Sequence, residues 1–437
     1  MAGCLHMCSP CGHGSPSASG SAGPVEILPR PSHVIYLIPS VLLLKQNQRK
    51  CPVWVMFRLL FFCCVCLLLI VRAEAQVPAT IWEQLSSEEH LAKPGWWPRK
   101  GDAARSDYVG ADVCAGCHSA LANGQKQHAM AHTSMPVSNS EGLGRTVNYD
   151  IGPFHYSIVP DKDKDNVTYT VTGGGQSFSA PFLWAFGSGS RGQTFLFQHN
   201  GDWYEARISF FRGLGFDITP SHPKGIPANL EDALGRKLSP KEASKCFGCH
   251  ATAAITNHQF DPAHLIPGIS CEGCHGPGAA HVAAASAGTG ENQGMILNPG
   301  RLDPSTSVDF CGSCHRTWWD INELGYRGVG NARFACYRLE ASRCWGKGDP
   351  RITCFACHDP HRPLVTDLSA YDEKCLSCHV KSAALSVSPD HPGRGCPVST
   401  TQCATCHMPK YNLPQMHAPF TDHYIRVVRD ASVFPDK

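Results

Sequence analysis

Seven copies of a C-x-x-C-H motif constrain this chain more than any other feature of its sequence. All seven follow residue 75, and six of them lie between residues 246 and 407. Two thiols with two residues between them, and an imidazole directly after the second, place three binding groups on about one turn of chain. Numbered motifs 1 to 7 in chain order, the copies are Cys114-Ala-Gly-Cys117-His118, Cys246-Phe-Gly-Cys249-His250, Cys271-Glu-Gly-Cys274-His275, Cys311-Gly-Ser-Cys314-His315, Cys354-Phe-Ala-Cys357-His358, Cys375-Leu-Ser-Cys378-His379 and Cys403-Ala-Thr-Cys406-His407.

This motif is the attachment signature of c-type haem. The two thiols add to the two vinyl groups of the porphyrin, and the histidine becomes the proximal ligand of the iron. Zinc held by Cys₄ or Cys₂His₂ is the alternative, but zinc does not require histidine directly after the second cysteine. Since histidine fills 23 of 437 positions, its presence after all seven pairs is not a chance result. The sequence therefore predicts seven covalently bound haem c groups.

The residues around position 56 predict export. Residues 56–75 read MFRLLFFCCVCLLLIVRAEA, with a short positive start, an apolar stretch of signal-peptide length and an Ala-x-Ala cleavage site. A retained membrane anchor is the alternative, but a span needs about 20 apolar residues. Because a signal peptide begins the chain, we expect translation to start at Met56 and residues 1–55 to be a non-native or disordered extension. The expected location is the periplasm, or another site outside the cytoplasm where haem c is attached, without membrane association after cleavage.

Histidines outside the motifs supply candidates for the second axial ligand that a six-coordinate haem iron needs. His281 in CHGPGAAH and His361 in CHDPH each follow a motif histidine too closely to reach the opposite face of the same haem. Each is therefore expected to serve a neighbouring haem. His128 and His132 share one face of a helix, so only one of the two is expected to bind iron. The predicted distal ligands are His281, His361, His417, His423 and His132.

The spacing of the motifs predicts the organisation of the chain. Motif 1 stands alone, and the stretch of more than 120 residues that follows it contains alternating, strand-like segments such as FHYSIV and VTYTVT. The predicted fold is a mainly α or irregular multihaem cytochrome fold, with short helices and loops around stacked haems and a small antiparallel β insertion. The predicted segments are a first haem segment at 76–145, a β-rich insertion at 146–215 and a six-haem region at 216–437.

The motifs and their surroundings resemble the multihaem cytochromes of the c-552/c-554 class. The matching segments are YVGADVCAGCH (Tyr108 to His118), CEGCHGPGAAHV (Cys271 to Val282), CFACHDPH (Cys354 to His361), CATCHMPK (from Cys403) and FTDHYIR (to Arg426). The resemblance implies stacked haems with two histidine ligands each, and some members of the class keep one iron five-coordinate. Seven motifs and a β insertion depart from the tetrahaem carrier of the class, so its electron donor does not carry over.

Two functions are consistent with these features. One is an exported electron carrier, which needs only saturated haems in a chain, and the surplus of histidines favours it. The other is an oxidoreductase that acts on a small nitrogen or sulfur species at one five-coordinate haem with nearby acid or base residues. The expected partners are redox proteins, such as an inner-membrane quinol-oxidising complex or other cytochromes. With 38 Lys and Arg against 36 Asp and Glu, the chain lacks the cationic excess that nucleic-acid binding requires.

Overall fold

The computed structural model of the protein describes residues 87–92, 96–163, 165–288, 296–345, 351–379, 396, 398–429 and 432–435. The predicted extension at 1–55 and the signal peptide at 56–75 lie outside these residues. All described residues belong to one compact unit, Glu83–Lys437. This unit combines short helices with antiparallel sheets. Within the described ranges, no helix has the length and apolar character needed to cross a bilayer.

Short helices carry the cysteine motifs. In the described part of the chain the α-helices are α1 (Ser87–Ala92), α2 (Ala111–Lys126), α3 (Leu230–Leu234), α4 (Pro240–His250), α5 (Cys271–His275), α6 (Ala279–Ala287), α7 (Pro304–His315), α8 (Trp318–Leu324), α9 (Ala335–Glu340), α10 (Cys354–Cys357), α11 (Asp372–Leu376) and α12 (Cys403–His407). Where a helix ends before the motif histidine, the turn still closes: the N–H groups of His358 and His379 donate to the carbonyls of Cys354 and Cys375 at 2.9 and 3.0 Å. Each of these motifs is therefore one helical turn, as attachment at both vinyl groups requires.

Single 3₁₀ turns connect several of these helices. They span Arg105–Asp107, Ala129–His132, Val137–Asn139, Pro299–Arg301, Val329–Arg333, Arg343–Trp345 and Leu368–Tyr371. Three small antiparallel pairs also lie outside the main sheets. They are β12 (Ala251–Thr252) with β15 (Ile266–Pro267), β13 (Ile255–Thr256) with β14 (Gln259–Phe260), and β16 (Lys410–Asn412) with β17 (Pro419–Thr421).

Antiparallel strands fill the stretch between motif 1 and motif 2. They are β1 (Ser134–Pro136), β2 (Val147–Ile151), β3 (Phe154–Pro160), β4 (Val167–Gly173), β5 (Gln176–Pro181), β6 (Trp184–Phe186), β7 (Gly192–His199), β8 (Asp202–Ala206), β9 (Ile208–Phe211), β10 (Gly215–Ile218) and β11 (Gly235–Leu238). One sheet has the order β2-β3-β4-β5. The other has the order β1-β6-β7-β8-β11, with β9 paired to β7 and β10 paired to β9.

The β region is larger than the predicted insertion at 146–215. Strand β1 begins before that range, and β11 lies after it. Both are short edge strands of the seven-stranded sheet, and sequences such as Ser-Met-Pro and Gly-Arg-Lys-Leu carry no strong strand pattern of their own. Pairing with β6 and β8 gives them their conformation. Asn200 and Gly201 form the hairpin turn between β7 and β8, where both residues have positive φ and His199 pairs with Asp202 across the turn.

Alternating apolar residues build the core of the β region. Tyr156 and Ile158 of β3, and Tyr169 of β4, point to one face and are buried, as period-two patterning requires. The Tyr169 ring stacks on Phe182 at 4.9 Å, and Phe182 stacks on Phe195 at 5.0 Å. This aromatic core joins the two sheets into one layered unit between motifs 1 and 2.

The motif 2 helix α4 is fastened to the seven-stranded sheet. Phe247, the residue after Cys246, is fully buried and lies 4.8 Å from the ring of Phe186 and 5.2 Å from Trp203. The helix begins with a capping box in which Ser239 and Glu242 satisfy each other's backbone N–H groups. The sheet and the cap together fix the position of His250 at the far end of the helix.

We predict that replacing Phe247 with Ala lowers the free energy of unfolding by about 3–5 kcal/mol, because a fully buried aromatic side chain leaves a cavity. Urea unfolding of the haem-loaded protein, followed by far-ultraviolet circular dichroism, measures the change. Leu214→Ala is the matched control, since Leu214 is 56% exposed and its truncation leaves no cavity. Equal midpoints for the two variants would contradict the packing described for α4.

Candidate haem-binding site

Three motif histidines lie opposite histidines from elsewhere in the chain. The ring centres of His118 and His281 are 6.4 Å apart with an angle of 21° between the rings. The His275 and His361 rings are 5.9 Å apart at 17°. A third pair is formed by His358 and His423, at 6.2 Å and 46°.

The spacing in these three pairs fits an iron atom between the rings. Imidazoles that bind opposite faces of one metal, each through a nitrogen about 2.0 Å from it, have ring centres about 6 Å apart. The three observed separations, 5.9–6.4 Å, match that requirement. A direct stacking contact between two aromatic rings can be closer, as in the 4.7 Å contact of Phe186 with His250. The residues present therefore fit the haem group that the motifs imply.

Backbone carbonyls orient several of these imidazoles. Nδ1 of His275 donates to the carbonyl of Leu297 at 2.8 Å, and Nδ1 of His423 lies 3.2 Å from the carbonyl of Thr421. These bonds hold the proton on Nδ1 and leave Nε2 as the free donor atom for a metal. A carbonyl partner on the far nitrogen is the usual second contact of a metal-binding histidine.

Burial also favours the neutral, metal-binding form of these side chains. Burial lowers the pKa of His275, and the imidazoles of His361, His118 and His281 lower it further. Burial likewise lowers the pKa of His423 below the usual value for histidine, and the neighbouring His358 adds to the effect. A neutral imidazole keeps a lone pair available for a metal at neutral pH.

The proximal histidine of motif 2 is held by the segment after motif 1. Nδ1 of His250 lies 3.0 Å from the carbonyl of Thr133, and the Thr133 hydroxyl donates to the carbonyl of His250 at 2.9 Å. The ring of Phe186, on β6, stacks on the His250 imidazole with only 2° between the planes. Both contacts fix the rotation of the ring, so the β region directly positions a predicted haem ligand.

Motif 1 lies beside motif 3, because the Glu272 carboxylate accepts the N–H groups of Val109 and Gly110, and motif 2 lies beside motif 4, because the Cys249 thiol is 3.8 Å from the carbonyl of Ser313. In the chain before haem attachment, burial, followed by the charge and hydrogen bond of Cys271, raises the pKa of Cys114 to about 11. A hydrogen bond from Cys314 lowers the pKa of Cys249 to about 5, against the opposing effect of burial. Each thiol becomes a thioether in the holoprotein, so the lasting consequence of these contacts is proximity.

Motif 4 lies beside motif 5, since Cys311 and Cys354 pack against the same buried cluster, and it lies near motif 3. A hydrogen bond with Cys354 and burial raise the pKa of Cys311 well above its usual range, and the charge of Cys274 adds to the shift. The fold thus places cysteines of three motifs around the C-terminal half of α7.

Motif 6 is joined to motif 7 through Asp372, the first residue of α11. Its buried carboxylate accepts the N–H groups of Gln402 and Cys403 at 2.7 and 2.8 Å, where α12 begins. Burial raises the pKa of Cys403 to about 12, with smaller contributions from Asp372 and Cys375. Burial and the charge of Cys357 raise the pKa of Cys375, which places motif 5 near motif 6.

Glu272 has the same function between motif 3 and motif 1. This residue follows Cys271 and is only 1% exposed. Its carboxylate accepts the N–H groups of Val109 and Gly110 at 2.8 Å, at the start of α2, and that of Gly278 at 2.9 Å, at the start of α6. A negative charge at a helix N-terminus is favourable because the backbone N–H groups there lack helical partners. One carboxylate therefore anchors both helices that carry the His118–His281 pair.

Other predicted ligands lie in different surroundings. Nε2 of His132 donates to the Lys126 carbonyl at 2.9 Å, and Nε2 of His417 lies 2.8 Å from the Asp217 carboxylate. Within the described ranges, neither ring stacks on a motif histidine.

Burial lowers the pKa of His128, and the motif imidazoles of His358 and His315 lower it further. Of the pair His128 and His132, the structure brings His128 close to motif histidines, whereas the sequence prediction favoured His132.

The buried carboxylates and Phe186 were not identified from the sequence. Glu272 lies inside a motif and Asp372 three residues before one, so their positions offered a signal. That signal is weak, because a charged residue next to a motif is more often exposed than buried. Only the fold shows that each of these carboxylates meets the start of a helix that carries a different motif.

A family model described as cytochrome c554 and c-prime matches residues 224–276, which contain motifs 2 and 3. These findings support a c-type cytochrome. Covalently bound haem c, haem-based electron transfer and export from the cytoplasm all accord with a protein of this type.

No curated protein sequence matches this chain. Among solved structures, that of the outer cell wall cytochrome OcwA is similar to it, with a TM-score of 0.45 and 14% sequence identity. The similar region covers 74% of this chain and 80% of that chain.

We predict that Asp372→Asn destabilises the protein by about 1.5–3 kcal/mol at pH 7, because the two N–H groups at the start of α12 lose their charged acceptor. Although burial opposes it, the N–H groups of Cys403 and Gln402 lower the pKa of Asp372 below its usual value. A carboxyl with a depressed folded-state pKa stabilises the fold above its unfolded pKa, about 3.9, and loses that effect as the pH falls through the folded value.

The difference in unfolding free energy between wild type and Asp372→Asn should therefore be full at pH 7 and shrink below about pH 4. Urea unfolding at a series of pH values measures it. Asp163→Asn, at an exposed loop position, is the control and should match wild type throughout. A difference that does not change with pH would show that the charge of Asp372 is not what stabilises this contact.

Proposed function

We propose that the protein is an exported seven-haem c-type cytochrome that carries electrons along a chain of adjacent haems. The close approach of different motifs is the observation that carries this proposal. Because each haem is bonded to its two cysteines, motifs that lie side by side bring the edges of two haems together. The haem iron supplies one-electron chemistry when bound, and the chain sets the distances between neighbouring irons.

The contacts support one particular order of haems. Motif 1 neighbours motif 3, motif 3 neighbours motif 4, and motifs 4, 5, 6 and 7 follow in chain order, with motif 2 attached beside motif 4. This order differs from the chain order only at motif 2, where the β region intervenes. The proposed path therefore runs from haem 1 to haem 7 with a side branch at haem 4.

Three haems in this proposal have histidine on both faces. The proposed pairs are His118 with His281, His275 with His361, and His358 with His423, on the strength of their ring separations. An iron with two histidine ligands has no open position for a small substrate and has a lower potential than one with histidine and methionine. Three closed irons favour the carrier over an oxidoreductase that acts on a small nitrogen or sulfur species.

Exposed motif cysteines support exchange of electrons with other proteins. Cys117, Cys357 and Cys406 are exposed, and they belong to motifs 1, 5 and 7. The haem edges attached there would lie near the surface at both ends of the proposed path and at its middle. The proposed partners are redox proteins, such as an inner-membrane quinol-oxidising complex or other cytochromes.

Intact-mass measurement of the mature protein tests the haem count. We predict seven covalent additions of about 616 Da each, retained after acid extraction, because thioether bonds survive acid. Electron paramagnetic resonance of the same sample should show mainly low-spin iron. Fewer than six additions would contradict the seven-haem proposal, and a dominant high-spin signal would favour the oxidoreductase.

We predict that His281→Ala leaves every haem attached but changes the ligation of one iron. The thioether bonds do not involve His281, whereas the iron beside His118 loses its second imidazole. One low-spin haem should become high-spin, and its midpoint potential should rise. His155→Ala is the matched control, since His155 is an exposed histidine of β3 that pairs with Asp150. An unchanged spectrum and redox titration in His281→Ala would exclude His281 as a ligand.

A further inference from the structure

The segment Thr421–Arg426 contacts two motif histidines at once. The ring of His423 faces His358 of motif 5 at 6.2 Å. Three residues later, the carbonyl of Arg426 lies 3.0 Å from Nδ1 of His407 in motif 7. One short stretch of chain therefore presents a ring to one proximal histidine and fixes the orientation of another.

A buried ion pair holds this segment. Asp422 is completely buried and Arg338, on α9, is 1% exposed. Nε and Nη2 of Arg338 donate to the two oxygens of Asp422 at 2.8 and 3.0 Å, a bidentate geometry. The same carboxylate accepts the N–H group of Tyr424 at 3.0 Å and Nη1 of Arg426 at 2.7 Å. Four donors converge on one carboxylate, so the residues on both sides of His423 have little freedom.

Ser342 and two aromatic rings make further contacts with the same segment and with Arg338. The hydroxyl of Ser342 donates to the carbonyl of His423 at 3.0 Å and accepts the N–H group of Ile425 at 2.8 Å. The guanidinium of Arg338 lies 4.5 Å from the ring centre of Phe434 and 5.0 Å from that of Tyr424. Stacking on these aromatic faces replaces part of the hydration that Arg338 loses on burial.

We infer that Arg338 and Asp422 are positioning residues that set the ligation of the haems at motifs 5 and 7 together. The inference rests on the proposed haem binding at these motifs and adds to it a specific cause for the geometry of both sites. The ion pair contacts neither proximal histidine, and it acts through the backbone of the segment it holds. A displacement of that backbone moves the His423 ring away from His358 and the Arg426 carbonyl away from His407.

The test uses the haem-loaded protein and two variants. Asp422→Asn keeps the shape of the side chain but removes the charge, and Arg338→Lys keeps the positive charge but loses the bidentate geometry. Loss of one partner from a buried pair is strongly destabilising, so Arg338→Lys, which retains a cation, keeps the test decisive if Asp422→Asn fails to accumulate. The readouts are intact mass, the electron paramagnetic resonance spectrum and a potentiometric titration.

Both variants should retain all covalent haem and change two haems out of the full set. The low-spin signal should fall by up to one haem, from the site of His358, and the midpoint of a second haem, at His407, should shift because its Nδ1 partner has moved. Arg207→Gln is the matched control, because Arg207 is a buried arginine of the β region that bonds only to carbonyls there. It should lower stability without changing either spectral readout.

Two results distinguish failure of the positioning role from failure of the proposed haem ligation by His358 and His423. If His423→Ala changes the spectrum while the folded variants at Asp422 and Arg338 do not, the positioning role is overturned and His423 remains a ligand. If His423→Ala leaves the spectrum of all haems unchanged, the proposed ligand pair of His358 and His423 fails instead. Spectral changes in Arg207→Gln equal to those in Asp422→Asn would also overturn the positioning role, since general destabilisation would then explain them.

Discussion

In the proposed function, the requirement for an imidazole on each face of a haem iron determines which distant parts of this chain meet. His118 and His281 are separated by more than 160 residues, yet their rings stand at the distance that one intervening iron needs. The rings of His275 and His361, and those of His358 and His423, also lie at the distance that one intervening iron needs. The motif turn fixes one ligand locally, and the second ligand has to come from another segment. These three pairs therefore join segments that lie far apart in the sequence, in addition to the apolar core of the β region.

Buried carboxylates fix the positions of the short motif helices relative to one another. A helix of five residues has few backbone bonds of its own and gains little from propensity. Glu272 and Asp372 each bond the N–H groups at the start of a helix that carries another motif. Asp422 fixes the segment of His423 through Arg338. The same arrangement recurs at three places: a carboxylate near one haem motif fixes the backbone that places the next, so neighbouring sites are held together pairwise.

The sequence predicted the chemistry of the site better than its assembly. The motifs, the Asn200-Gly201 hairpin and the alternation of β3 and β4 follow from local pattern, because thioether attachment, turn type and strand burial each depend on neighbouring residues. The pairing of particular histidines, and the preference for His128 over His132 near motif histidines, depend on the whole fold. The edge strands β1 and β11 could not be predicted either, because their extended conformation depends on pairing with β6 and β8 and not on their own sequences.

The central claim is that the motifs bring their haems into one branched order, and a crystal structure of the mature, haem-loaded protein tests it most directly. The measurement is the set of nearest-neighbour contacts between macrocycles. The account predicts that haem 1 adjoins haem 3, haem 3 adjoins haem 4, haems 4 to 7 follow in chain order, and haem 2 adjoins haem 4, each pair in contact at about 4 Å or nearly so. A structure in which haem 1 or haem 7 has no neighbouring macrocycle, or in which haem 2 lies beside haem 1 and away from haem 4, would contradict it.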